Sequence, residues 1–133
     1  MAESLAQLGR ERLDGKICYL ATTQPTGAPR VHAVTPIIGC DDLYVFMEPT
    51  SPKSRDLNAD KPYALHSYVR TNTGEGGEFL VDVDALETDS ADERQLVIEA
   101  SSYEIKERYV LFRLDVGRVV FTQYEDDGPQ RER

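Results

Sequence analysis

The amino-acid sequence predicts a mainly β chain, a small barrel or sandwich carrying a few short helices. Three observations support this. About six or seven runs of β-forming residues follow one another with short turns between them. Several of these runs alternate apolar and polar residues with a period of two. Helical patterns are confined to two or three short stretches. Strands in immediate succession favour antiparallel pairing, and closing the sheet removes its exposed edges. The 133 residues suit one domain, and a chain this long buries roughly two-thirds of its unfolded surface. There is no internal repeat and no linker, so one domain over 1–133 is expected, with 1–3 and 125–133 as flexible tails.

Residues 4–14 open with a capping box, Ser4 and Gln7, and place Leu5, Leu8 and Leu13 near one face of a helix that Gly15 stops. "KICYLATT" is a compact apolar run, a buried strand. "QPTGAP" is a turn. "RVHAVTPII" alternates as one strand, with Val31, Ala33, Thr35 and Ile37 on one side and Arg30, His32 and Val34 on the other. "GCDD" turns into the strand "LYVFME". "SPKSRDLNAD" reads as a short helix, since Ser51 is a good N-cap and Pro52 suits the first helical position. "YALHSYV" is a strand, and "RTNTGEGG" is a glycine-rich loop. "EFLVDVDAL" sets Phe79, Val81, Val83 and Ala85 against Glu78, Asp82 and Asp84. Ser90 and Glu93 form a second capping box for a helix. "RYVLFRLDV" is the next strand, and Gly117 turns the chain into "RVVFTQY".

Composition excludes several functions. A net charge of −9 opposes sequence-independent nucleic-acid binding and anionic membrane surfaces. No run approaches the ~20 apolar residues of a spanning helix. "MAESLAQLGRERLDG" has no apolar core of the signal-peptide kind, so a cytoplasmic location is expected. Cys18 and Cys40 form no CxxC, which argues against a thiolate zinc site. No GxSxG accompanies the two histidines, His32 and His66, so Ser/His/Asp hydrolysis has no support. "GEGGE" lacks a following GK[ST] and precedes a strand, so it is a hairpin loop.

One feature runs against local preference. Lys53 puts a cation in the first turn of its helix, where the backbone is already partly positive. Arg30, Ser51 and Lys53, with Thr50 beside them, offer the two cations and hydroxyls that a phosphate monoester needs. The alternative reading is a surface Arg and a surface Lys separated by a hairpin.

The order "LATTQPTGAPRVHAVTPII…DDLYVFMEPTSPKSRDLNADKPYAL" resembles the FMN-binding split β-barrel proteins, the pyridoxamine 5′-phosphate oxidase-like family. The match runs from about residue 14 to 70 and continues more loosely through "GGEFLV" and "RYVLFRLDVGRVVFTQY". The resemblance implies a flavoprotein with FMN at the interface of a homodimer, acting on a small-molecule redox substrate. Arg30 and Lys53 would hold the FMN phosphate, with Thr50 and Ser51 as hydroxyl donors. On this reading the phosphate dianion explains the cation at Lys53. Val31, His32, Ala33, Val34 and Thr35 would pass the isoalloxazine, largely through backbone groups. Phe46 and Met47 would lie near the ribityl chain, and Glu78 matches a position that reaches the ring from the partner chain. Tyr68 and Tyr124 are candidates to reach a substrate. No catalytic residue is assigned.

The chain also departs from the oxidase. Thr35 stands where the oxidase has a lysine, the C-terminal "QYEDDGPQRER" offers no counterpart of the oxidase's His, and Asp82 and Asp84 stand where it has basic residues. These differences point away from pyridoxamine 5′-phosphate oxidation itself. The same fold admits two alternatives: a reductase using the deazaflavin coenzyme, whose acidic tail the net charge opposes, and a non-catalytic flavin or haem binder.

Overall fold

Strand alternation gives this chain one antiparallel sheet with a buried apolar face. The computed structural model describes residues 5–39, 41–51, 63–68, 77–125 and 128–132. Its strands are β1 (Cys18–Thr23), β2 (Pro29–Val34), β3 (Ile37–Gly39), β4 (Asp42–Met47), β5 (Tyr63–His66), β6 (Glu78–Thr88), β7 (Val110–Glu125) and β8 (Gly128–Glu132). The helices are α1 (Leu5–Leu13) and α2 (Ala91–Ala100). One antiparallel sheet runs β2-β1-β5-β6-β7-β4-β3, with β8 paired to β7.

The inward residues of successive strands form one apolar cluster that includes Cys18, Leu20, Leu65, Phe79, Val81, Val83, Phe112 and Leu114. α1 adds Leu13 to it. Burial of this kind contributes roughly 25 cal/mol per Å² of apolar surface. Cys18 is a packed hydrophobe, and burial pushes its thiol up to about 11. β4 is buried on both faces. Leu43, Val45 and Met47 point into the barrel, while Tyr44 joins Ile37, Val97 and Leu111 in a second cluster beneath α2, with Phe46 packed against it. α2 begins as its capping box predicts, with the Ser90 hydroxyl accepting from the Glu93 N–H at 3.3 Å.

Three expectations change. The run 30–38 is two strands, because Thr35 and Pro36 interrupt the ladder between β2 and β3. Proline has no N–H to donate, and it restricts the residue before it. Gly117 makes no hairpin; β7 continues through it as a 16-residue strand. A two-residue hairpin favours positive φ at its centre, and Gly117 does not adopt it. The ladder instead shifts register at Asp82/Val83. That shift leaves Gly117 as the extra residue and reverses the alternation of β7 there: Phe112 and Leu114 face the core before it, and Val119 and Phe121 pack against the core after it. The expected tail from 125 onward contains β8, which pairs with Phe121–Glu125.

Arg12 ties α1 to the residues that follow β5 and precede β6. It is buried, donates from Nη2 to the Tyr68 carbonyl at 3.0 Å and the Gly77 carbonyl at 3.2 Å, and lies over the Tyr68 ring. Gly77 has φ +72°, and a Cβ there would collide with the Thr122 carbonyl. Only glycine meets both conditions without strain.

Candidate functional site

Two strand ends and two connections build a cavity of about 380 Å³. β2 and the residue after it supply Ala33, Val34 and Thr35. β4 and the turn after it supply Phe46, Met47, Glu48 and Ser51. The segment before β1 adds Ile17, and the connection from α2 to β7 adds Tyr103 and Tyr109. The volume lies in the small-ligand range.

Each wall is fixed in place. The Ser51 hydroxyl and N–H both donate to the Glu48 carbonyl, at 2.9 and 3.1 Å, which tightens the turn after β4. Arg108 grips both oxygens of Glu48 and holds that carboxyl below its usual range. The Tyr103 hydroxyl donates to the Thr35 carbonyl at 3.2 Å. Burial pushes the Tyr103 phenol above its ordinary value, and Tyr109 acts in the same direction. Arg94 stacks on Phe46 at 5.1 Å and donates to the carbonyls of Tyr109, Lys106 and Glu107 at 2.7, 3.2 and 3.1 Å.

The structure thus gathers Ala33, Val34, Thr35, Phe46, Met47 and Ser51. Arg30, Val31 and His32 share β2 with them but lie outside the cavity lining. Arg30 and His32 are half-buried on the inward side of β2, with the His32 ring 3.3 Å from the Thr22 hydroxyl. Val31 faces outward and is 66% exposed. Thr50 is exposed in the turn before Ser51. Glu78 sits on β6, with its carboxylate 3.7 Å from His66 Nε2. Lys53 and the helix expected at 51–60 fall outside the described residues, apart from Ser51, as do Arg55, Cys40 and most of the glycine-rich loop. Tyr68 lies under the Arg12 guanidinium, and the Tyr124 side chain is outside the described set.

Ile17, Glu48, Tyr103 and Tyr109 complete the lining without having been singled out from sequence. No local signal marks the two tyrosines, because they reach the cavity from a connection about seventy residues beyond β2. A second, larger cavity of about 570 Å³ opens between α1, the β3–β4 turn and β6–β7. Leu13, Leu43, Phe79, Val81 and Leu114 floor it, and Asp41, Asp42 and Asp115 stand at its edge with Arg10. Arg10 already pairs with Asp41. That mouth opposes a phosphate, and the cavity holds none of the residues singled out above.

The architecture is the split barrel of the pyridoxamine 5′-phosphate oxidase-like proteins. No family model and no curated protein matches the chain. Similar solved structures include a Lactobacillus delbrueckii protein named for pyridoxamine 5′-phosphate oxidase, at 15% identity and TM-score 0.64, covering 90% of this chain and 92% of that one. A haem-binding protein from Mycobacterium smegmatis has 16% identity and TM-score 0.70, over 99% of this chain and 59% of that one. PhzG from Burkholderia lata, solved with tetrahydrophenazine-1-carboxylic acid, has 15% identity and TM-score 0.66, over 95% and 78%. At these identities the likeness is one of fold. Among the described residues, no helix is long and apolar enough to cross a membrane.

Proposed function

We propose that this chain is an FMN-binding flavoprotein, an oxidoreductase that works as a homodimer with the cofactor at the subunit interface. One observation carries the reading: six of the residues that the family resemblance assigns to FMN line a single cavity, although they come from separate strand ends and a turn. FMN, when bound, supplies hydride and electron chemistry. The chain supplies position. Thr50 offers a hydroxyl to the phosphate, Ser51 does so on releasing its bond to the Glu48 carbonyl, and Arg30 and Lys53 are its cations. Ala33, Val34 and Thr35 border the ring, with Val31 and His32 preceding them on the strand. Phe46 and Met47 flank the ribityl chain, and Glu78 serves the ring in the other subunit.

The outer face of the sheet supports the dimer. Ala33 pairs with Tyr19, and Val31 with Ala21, on the face that carries the exposed Tyr19 and Val31. This apolar strip continues from Ala33 at the cavity edge, so a partner covering it would also cover the cavity. The histidines favour flavin over haem. His32 contacts Thr22, His66 Nδ1 lies 2.7 Å from the Ser67 carbonyl, and neither lines the cavity.

An absorbance spectrum of the purified protein, followed by titration with FMN, the deazaflavin coenzyme and haemin, tests the assignment. Flavin bands or tight FMN uptake are expected. Preference for the deazaflavin, or a Soret band with haemin, would replace FMN with that cofactor. Lys53→Ala should weaken FMN roughly ten- to hundredfold, as loss of a charge-assisted contact does, and leave riboflavin nearly unchanged. Equal losses for both would remove the phosphate role. Dilution that splits the dimer should release the flavin.

A further inference from the structure

The connection between α2 and β7 is built as a wall. Residues 101–109 form no helix or strand, yet they are tied down at several points. Arg94 donates to three of their carbonyls, and its guanidinium rests on Phe46. At one end Tyr103 reaches across to the Thr35 carbonyl after β2. At the other, Arg108 lies over the Tyr109 ring and grips Glu48 after β4. The segment is therefore anchored to both strand ends that frame the cavity.

Its chemistry is as specific as its anchoring. Phe46, Tyr103 and Tyr109 give the cavity three aromatic lining residues, and among the described residues Glu48 is the only charged one that lines it. Arg108 already occupies the Glu48 carboxylate. An aromatic wall of this kind suits a flat, uncharged ring, since stacking gains from π-surface contact and desolvation.

We propose that Tyr103 and Tyr109 are specificity-determining residues that take the planar ring of the bound ligand, and that Arg94 is the positioning residue that sets them. This rests on the flavin reading for the identity of the ring and goes beyond it in assigning the ring to a segment the family resemblance does not mark. The ring packs on the wall, and the phosphate lies away from it, towards Ser51. Arg94 acts through Tyr109 and Phe46. A lysine there would keep the charge, but a point charge cannot reproduce a planar fork that serves three carbonyls.

Lumichrome, which has the flavin ring without ribityl or phosphate, is the probe, with riboflavin and FMN beside it. Tyr103→Ala and Tyr109→Leu should each weaken lumichrome roughly five- to hundredfold, the loss typical of removing one stacking platform. Riboflavin and FMN should weaken by the same factor, unlike the selective loss expected at Lys53. Tyr109→Leu should also raise the fluorescence of bound riboflavin, because a phenol against the ring quenches it by electron donation. Arg94→Lys should reproduce part of the loss, and Tyr109→Phe should restore most of the affinity.

FMN uptake by the native protein, with lumichrome affinity unchanged in both tyrosine variants, would overturn this inference and leave the flavin reading standing. Lumichrome uptake without FMN uptake, lost in the tyrosine variants, would support the wall and remove the FMN reading. Uptake of neither would overturn both.

Discussion

The barrel interior and the α2 side of the sheet are held by different means. Inside the barrel, apolar side chains from α1 and successive strands interlock. Under α2, the apolar cluster is smaller and polar groups share the work. The Tyr44 and Thr88 hydroxyls both donate to the Glu93 carboxylate at 2.6 Å, and Arg113 stands 3.6 Å away. The next residue, Arg94, positions the cavity wall. The barrel interior sets stability through non-directional burial. The α2 side sets placement through directional bonds, and the candidate site lies there.

The contrast can be broken most sharply from inside. Phe112 is fully buried, and Phe112→Ala should cost roughly 3–5 kcal/mol by denaturant unfolding. A loss under 1 kcal/mol would mean that the barrel interior is not the main source of stability. Gly77→Ala should cost about 1–3 kcal/mol, because alanine must adopt positive φ against the Thr122 carbonyl. Wild-type stability in that variant would show that the β5–β6 connection can relocate freely.

The α2 side should respond more weakly, and to pH. Hydrogen bonds from Thr88 and then Tyr44 hold the Glu93 carboxyl below its ordinary value of 4.5. A depressed carboxyl stabilises the fold above its unfolded pKa, and this contribution is lost as pH falls through the lower folded value. Glu93→Gln should therefore cost roughly 1–2 kcal/mol at neutral pH. The gap from wild type should close as the pH drops below about 4.5. A gap that stays constant down to acid pH would show that the ionised carboxylate is not what holds α2.

Much of the barrel was legible because burial on one face leaves a period-two trace. Phe79, Val81 and Val83 read as a core face and are one. The Ser90–Glu93 box marked the start of α2 to the residue. The Gly117 hairpin was misread because one glycine looks alike in a turn and in a long strand. What separates them is the register shift between β6 and β7, and pairing across strands is not written locally. The site divided in the same way. Residues 33–35, 46–47 and 50–51 stood out because the motif order is local to them. Tyr103 and Tyr109 did not, since their role depends on where Arg94 and Arg108 hold a connection with no periodicity of its own.

By itself the sequence determined the mainly β character, the core face of β6 and the start of α2, because each follows from neighbours within a few positions. Only the tertiary structure decided that β7 runs unbroken past Gly117, that residues 128–132 add a strand, and that two tyrosines complete the cavity. Those outcomes depend on contacts between segments far apart in the chain, and the energy of such contacts exists only once the sheet has formed.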